Sequence, residues 1–150
     1  MEEKLSINDF EAYVKEVLDL KPNDAGMYSP LVLAYIGDAV YELIIRTIIV
    51  NRGNCPVNQM HRKSSSLVKA GAQAELIHLI MDELTDKEQA IYKRGRNAKS
   101  ATAAKNATIQ DYRTATGFEA LAGYLYLNGE KERLIELVAL ALEKKGELKK

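Results

Sequence analysis

Apolar residues recur at intervals of three and four along nearly the whole chain, and no stretch alternates in the two-residue rhythm of a half-buried strand. The pattern predicts an all-α fold of about six to seven helices. Phe10, Val14, Val17 and Leu18 mark an amphipathic first helix, with Asn8 and Glu11 spaced as a capping box. Pro22, Asn23, Asp24 and Gly26 make residues 21–28 a loop. Ser29-Pro30 then supplies a cap and a first-turn proline for a long helix to about Val50, which Asn51-Arg52-Gly53-Asn54 ends. A third helix is expected from about Val57 to Leu84, bent near Gly71. Thr85 and Glu88 form a second capping box, opening a short helix toward Lys93. Gly95 to Thr108 is the least regular stretch. Beyond it, a helix from about Asp111 to Leu127 precedes Gly129, a suitable C-terminal cap. A last helix uses Leu134, Leu137, Val138 and Ala141, and the tail from Lys144 to Lys150 is expected to fray. With no internal repeat, residues 1–150 read as one domain.

Composition narrows the class. Of the 150 residues 47% are apolar and 28% charged, which suits a soluble globular chain. The run from Leu31 to Val50 is nearly long enough to span a bilayer, but Asp38, Glu42 and Arg46 interrupt its middle. It reads as a buried helix at a subunit interface, with Leu43, Ile44, Ile45, Ile48 and Ile49 as the candidate surface, and no membrane partner is expected. The lone Cys55 excludes an internal disulfide framework and suits a reducing compartment. The opening Met1-Glu2-Glu3-Lys4 lacks the basic-then-apolar pattern of a leader, so the expected location is cytoplasmic. His61 and His78 are too far apart for a helical zinc pair. No phosphate loop, dinucleotide fingerprint or serine-hydrolase elbow is present, and no organic cofactor is expected.

Two acids stand out. Asp38 lies in Leu33-Ala34-Tyr35-Ile36-Gly37-Asp38-Ala39-Val40 and Glu119 in Gly117-Phe118-Glu119-Ala120-Leu121-Ala122-Gly123, both surroundings that favour burial. An ionised acid is costly to bury unless a cation meets it. Gly37, Ala39, Gly117, Ala120, Ala122 and Gly123 remove bulk beside the acids, and glycine inside a helix costs about 1 kcal/mol against alanine. Close approach of two helices would account for that cost. Together Asp38 and Glu119 fit oxygen ligation of Mg²⁺, which takes one or two protein carboxylates and keeps several waters. The residues alone leave an alternative open, in which each acid is satisfied by backbone N–H groups, a cap or an arginine.

Net charge is zero, yet Lys93 to Arg113 holds six Lys or Arg against a single acid, Asp111. Arg94-Gly95-Arg96-Asn97-Ala98-Lys99, with Lys105 beyond, mixes donors that suit phosphate oxygens, with a glycine that lets backbone approach. No exposed base-stacking aromatic accompanies them, which favours a duplex backbone over splayed single strands. A solvated surface loop is the alternative.

These segments resemble the ribonuclease III family. Ala34-Tyr35-Ile36-Gly37-Asp38-Ala39-Val40-Tyr41-Glu42 resembles its signature helix. Asp111-Tyr112-Arg113-x-Ala115-Thr116-Gly117-Phe118-Glu119-Ala120-Leu121 resembles its second acidic motif. With Arg94-Gly95-Arg96-Asn97-Ala98-Lys99, they resemble most closely the Mini-ribonuclease III branch, short bacterial proteins without an appended double-stranded-RNA-binding domain. The resemblance spans about Leu33 to Leu127. It implies an all-α catalytic domain, a two-fold homodimer, and Mg²⁺-dependent endonucleolytic hydrolysis of double-stranded RNA to 5′-phosphomonoesters. It further implies maturation of large-subunit (23S) ribosomal RNA precursors. Asp38 and Glu119 match the metal-binding catalytic acids, and Arg94, Arg96, Asn97, Lys99 and Lys105 are the RNA-binding candidates. Larger relatives carry acids where this chain has Ala34 and Thr116, which halves the carboxylate set and leaves Glu42 as a candidate substitute. The alternative function is a non-catalytic dimeric RNA-binding protein of ribosome assembly.

Overall fold

Ser29 closes its side-chain oxygen onto the Val32 N–H, and Pro30 fills the first turn, so the longest helix starts where the sequence places it. The computed structural model describes residues 10–98 and 108–148. Among them are seven α-helices and no strand: α1 (Phe10–Val17), α2 (Pro30–Asn51), α3 (Val57–Val68), α4 (Ala70–Leu79), α5 (Asp86–Asn97), α6 (Ile109–Leu127) and α7 (Lys131–Lys145). Single 3₁₀ turns occupy Ala25–Met27 and Met81–Glu83. None of these helices is long and apolar enough to cross a membrane.

Helix α6 is the hub. It is buried nearly all round, and α2, α4 and α5 pack chiefly against it. Its small residues let them come close. A Cβ on Gly37 would fall 1.8 Å from the Glu119 carbonyl oxygen, and one on Gly123 would fall 1.9 Å from the Leu33 carbonyl oxygen. Thus α2 and α6 cross backbone to backbone, with a glycine from each at the crossing. Around them Tyr41, Ile45, Leu76, Ile77, Leu121, Leu125 and Leu142 form the core, and the ring edge of Tyr41 meets Phe118 at 5.0 Å between centroids.

Several local expectations change. The helix expected from Val57 to Leu84 breaks at Lys69, whose extended backbone separates α3 from α4. The carbonyls freed by that break are capped from elsewhere: the Tyr41 hydroxyl donates to the Leu67 oxygen at 2.7 Å and Gln73 Nε2 donates to the Val68 oxygen at 2.7 Å. Helix α5 runs on to Asn97, so Arg94, Gly95, Arg96 and Asn97 are helical. Gly95 faces Gly117 and Ala120 of α6, leaving no open backbone for a phosphate. On α1 the expected apolar face is turned outward: Phe10, Val17 and Leu18 are exposed, and the buried residue is Glu11, paired with Lys15. Asn8 lies outside the described residues. At the other end, Gly146 ends α7 in the left-handed conformation (φ +87°), and Arg52 donates to the Glu147 carbonyl at 2.8 Å, tying the chain down to Leu148 rather than letting it fray from Lys144.

Candidate active site

Because α2 and α6 touch through glycine, the residues beside each glycine are forced together. Asp38 follows Gly37, and Glu119 supplies the carbonyl that Gly37 meets. The two carboxyls come within hydrogen-bonding reach of each other. Their surroundings differ. Asp38 is exposed on the single chain, contrary to the buried acid expected from its neighbours, whereas Glu119 is mostly buried. Burial, and then the negative charge of Asp38, push the Glu119 carboxyl up to about 8, and a hydrogen bond from Gln73 pulls the other way. No lysine or arginine pairs with either acid among the described residues. Glu119 also reaches Tyr41, whose hydroxyl proton it helps retain after the larger effect of burial.

Gln73 completes the pocket from α4. Its side chain is 2% exposed, and Nε2 donates to Glu119 Oε2 at 3.1 Å as well as to the Val68 carbonyl. Sequence reasoning passes over this residue. The available signal is its place three and four residues before Leu76 and Ile77, on the buried face of a helix, where a polar side chain needs a partner. The other candidates do not join. Both the Nε and an amino N–H of Arg46 donate to Glu42 Oε2, at 3.0 and 2.6 Å, so Glu42 is spent within its own helix. Ala34 has no polar side-chain atom, and the Thr116 hydroxyl donates to the Tyr112 carbonyl at 2.9 Å. Among the described residues no three His, Cys, Asp or Glu side chains cluster as a metal cage. The donor set is therefore two carboxylates and one amide. It fits a hydrated hard cation that takes one or two protein carboxylates, and does not fit zinc with its four nitrogen or sulfur ligands.

A second feature begins on the same helix. A polar cleft of about 500 Å³ opens between the end of α5 and the start of α6, lined by His78, Tyr92, Arg96, Asn97, Gln110 and Arg113 among others. The Arg96 guanidinium lies over the Tyr92 ring at 5.7 Å, and its Nε donates to Asn97 Oδ1 at 3.2 Å. Arg94, two residues before Arg96 and so about half a turn round α5, is exposed. Lys99 and Lys105 lie outside the described residues. Arg113 and His78 join this basic surface although neither is among the candidates named from sequence. Arg113 is six residues before Glu119, about 9 Å along the helix axis.

Comparison with known proteins identifies the family. Residues 31–130 match the model of the Ribonuclease III domain. The chain is 54% identical over 121 residues to a Mini-ribonuclease 3 of Clostridium tetani, covering 79% of this chain and 80% of that protein. It is 56% identical over 115 residues to one from a Thermoanaerobacter species, covering 77% and 81%. A crystal structure of a protein from Fusobacterium nucleatum superposes with a TM-score of 0.73 at 31% identity, covering 84% of this chain and 99% of that one. The all-α fold, the two acidic helices meeting at their glycines and these similarities lead to one assignment: the chain belongs to the ribonuclease III family of hydrolytic endoribonucleases.

Proposed function

We propose that this chain is a Mg²⁺-dependent endoribonuclease of double-stranded RNA, with Asp38 and Glu119 as its metal-binding catalytic acids. The observation that carries the reading is the pair of carboxyls held together with no lysine or arginine among the described residues paired to either. When bound there, Mg²⁺ lowers the pKa of a coordinated water and offsets charge on a phosphodiester undergoing in-line displacement. Asp38, open to solvent, gives the cation its entry and faces the nucleic acid. Glu119 anchors from within, and its raised proton affinity means that cation binding must displace a proton below about pH 8. In the hydrolysis, the water oxygen bonds to phosphorus as the bond to the 3′ oxygen breaks. The products are a 5′-phosphate and a 3′-hydroxyl. Arg94, Arg96, Asn97, Lys99 and Lys105 hold the duplex backbone, joined by Arg113 at the polar cleft. The family resemblance supports precursor large-subunit (23S) ribosomal RNA as substrate and the cytoplasm as location, and the lone Cys55 agrees with a reducing compartment.

A second copy of the chain completes the assembly in this reading. Val32, Tyr35 and Leu43 lie along one line of α2 at spacings of three and eight, and all three are exposed, Tyr35 by 82%. Of the surface named from sequence, Ile45 and Ile49 are in the core and drop out, whereas Leu43 is exposed and Ile44 and Ile48 are half-buried beside it in an apolar groove. The exposed line passes beside Asp38, so two-fold pairing through it would bring two sites toward the two strands of a duplex.

Three measurements test the reading. Asp38→Asn should lower cleavage of a long RNA duplex by a factor of about 10³ or more while the circular-dichroism melt stays in place; cleavage at the parental rate removes Asp38 from the chemistry. Wild type that binds duplex RNA but never cuts it, with or without Mg²⁺, returns the non-catalytic reading. Arg94→Ala combined with Arg96→Ala should weaken duplex binding and reduce the slope of log K against log salt by about 2; an unchanged slope makes that helix end a solvated surface. Tyr35→Glu should halve the sedimenting mass, and a wild type that sediments as a monomer at micromolar concentration ends the dimer proposal.

A further inference from the structure

An amide side chain offers two N–H donors and a carbonyl oxygen with two lone pairs. Gln73 uses both donors, one on the Val68 carbonyl and one on Glu119 Oε2, at 2.7 and 3.1 Å. That arrangement fixes which way the amide faces, because the flipped form would press its oxygen against two acceptors. The oxygen, Oε1, is then left buried with no donor among the described residues. A buried acceptor without a partner lowers stability. The side chain nevertheless sits at the one point where α4 meets Glu119. Carboxylates that bind a metal are themselves held by hydrogen bonds from a surrounding layer of residues.

We propose that Gln73 is the positioning residue of this centre: Nε2, anchored on the Val68 carbonyl, locks Glu119 through Oε2 in the orientation that would hold a divalent cation together with Asp38. The inference rests on the metal reading above and adds a residue from a third helix to it. Neutrality is what makes an amide suitable. A lysine or arginine at position 73 would lock Glu119 equally well but would cancel the charge the cation needs. The break at Lys69 gives Gln73 its second anchor, since an unbroken helix would have kept the Val68 carbonyl for itself.

The test is a titration of the purified full chain with Mn²⁺, followed by water-proton relaxation, on wild type, Asp38→Asn and Gln73→Met. Asp38→Asn should lose most of the affinity. Gln73→Met keeps the length of the side chain but removes both donors, so its metal-free melting temperature should fall while Mn²⁺ affinity falls about 10–100-fold. A Gln73→Met that binds Mn²⁺ within twofold of wild type overturns the role of Gln73 and leaves the two acids standing. If Asp38→Asn and wild type take up Mn²⁺ alike, the metal reading falls, and the role of Gln73 with it. Should Gln73→Met fail to fold, wild type decides alone: saturating Mg²⁺ should shift the side-chain ¹⁵N–H pair of Gln73 in the NMR spectrum, and the shift should be absent in Asp38→Asn. No shift in wild type overturns the proposal.

Discussion

Glu88 and Glu119 are both glutamates drawn out of water by helix packing, and their surroundings treat the charge in opposite ways. Glu88 is 5% exposed at the start of α5. There it closes the capping box with Thr85, accepting from the Thr85 N–H at 2.9 Å, and it takes two N–H donors from Arg133 of α7 at 2.8 and 2.9 Å. The hydrogen bonds from Arg133, ahead of any penalty of burial, hold its carboxyl below the ordinary range. Arg133 also donates to the Glu83 carbonyl at 2.8 Å, so a single guanidinium staples the Met81–Glu83 turn, α5 and α7. Glu119 has no such partner among the described residues: it meets a neutral amide and a second acid, and its carboxyl is raised to about 8. The first environment satisfies the anion permanently. The second holds an anion incompletely satisfied and open to a cation from solution. Burial of a carboxylate therefore does not by itself fix which way its proton affinity moves; the charge of its nearest partner does.

The largest expected effect that sharpens this contrast is on Glu88. Arg133→Ala would leave a buried anion with only its capping bonds, and should lower stability by about 3 kcal/mol, the low end for breaking a buried pair because Arg133 is partly exposed. Denaturant unfolding at pH 7 measures it. The sign with pH follows from the depressed carboxyl. Stability from Glu88 is fully present above its unfolded value near 4.5 and is lost as pH falls through the lower folded value. The difference between Arg133→Ala and wild type should therefore shrink in acid. A variant as stable as wild type at pH 7 would mean that the capping box alone suffices for Glu88, and that the guanidinium is not what separates the two glutamates.

Much of this contrast was within reach of the sequence. Thr85 and Glu88 carry the capping signature three residues apart, and Ser29-Pro30 does the same for α2 in adjacent residues, because caps are local chemistry. The close crossing was also legible, since Gly37 and Gly123 stand inside helices where glycine is costly unless another backbone needs the space. The partner of Glu88 was not, because Arg133 is 45 residues away and no local rule selects one arginine over another. Neither was the break at Lys69. That residue has no helix-breaking chemistry, and its extended backbone is supported by the Gln73 amide and by the Tyr41 hydroxyl, which caps the Leu67 carbonyl from 26 residues away. Missing the break meant missing Gln73. The exposure of Asp38 was misjudged for a related reason: its neighbours are apolar, but Tyr35 and Leu43 on its side of α2 are exposed as well. A helix apolar on every side does not reveal from its own pattern which side meets the core of its chain.

The smallest expected effect is the most discriminating, because it has the opposite sign. Glu119→Gln removes the charge that packing leaves uncompensated. The folded carboxyl binds its proton up to about pH 8, while the unfolded one releases it near 4.5, so between those values the native state holds more protons. Stability from this site must then fall as pH rises from 4.5 to 8. In metal-free buffer at pH 8, Glu119→Gln should be more stable than wild type by roughly 1–2 kcal/mol, a fraction of the shift because Asp38 and solvent share the relief. Near pH 5, where wild type already carries the proton, the two should melt together. Added Mg²⁺ should raise the melting temperature of wild type at pH 8 and leave Glu119→Gln nearly unmoved, since a ligand stabilises only the form that binds it. If Glu119→Gln were instead destabilising at pH 8 by an amount that vanished in acid, Glu119 would behave as Glu88 does. A protein cation would then be neutralising it, and the carboxyl pair would have no need of a metal.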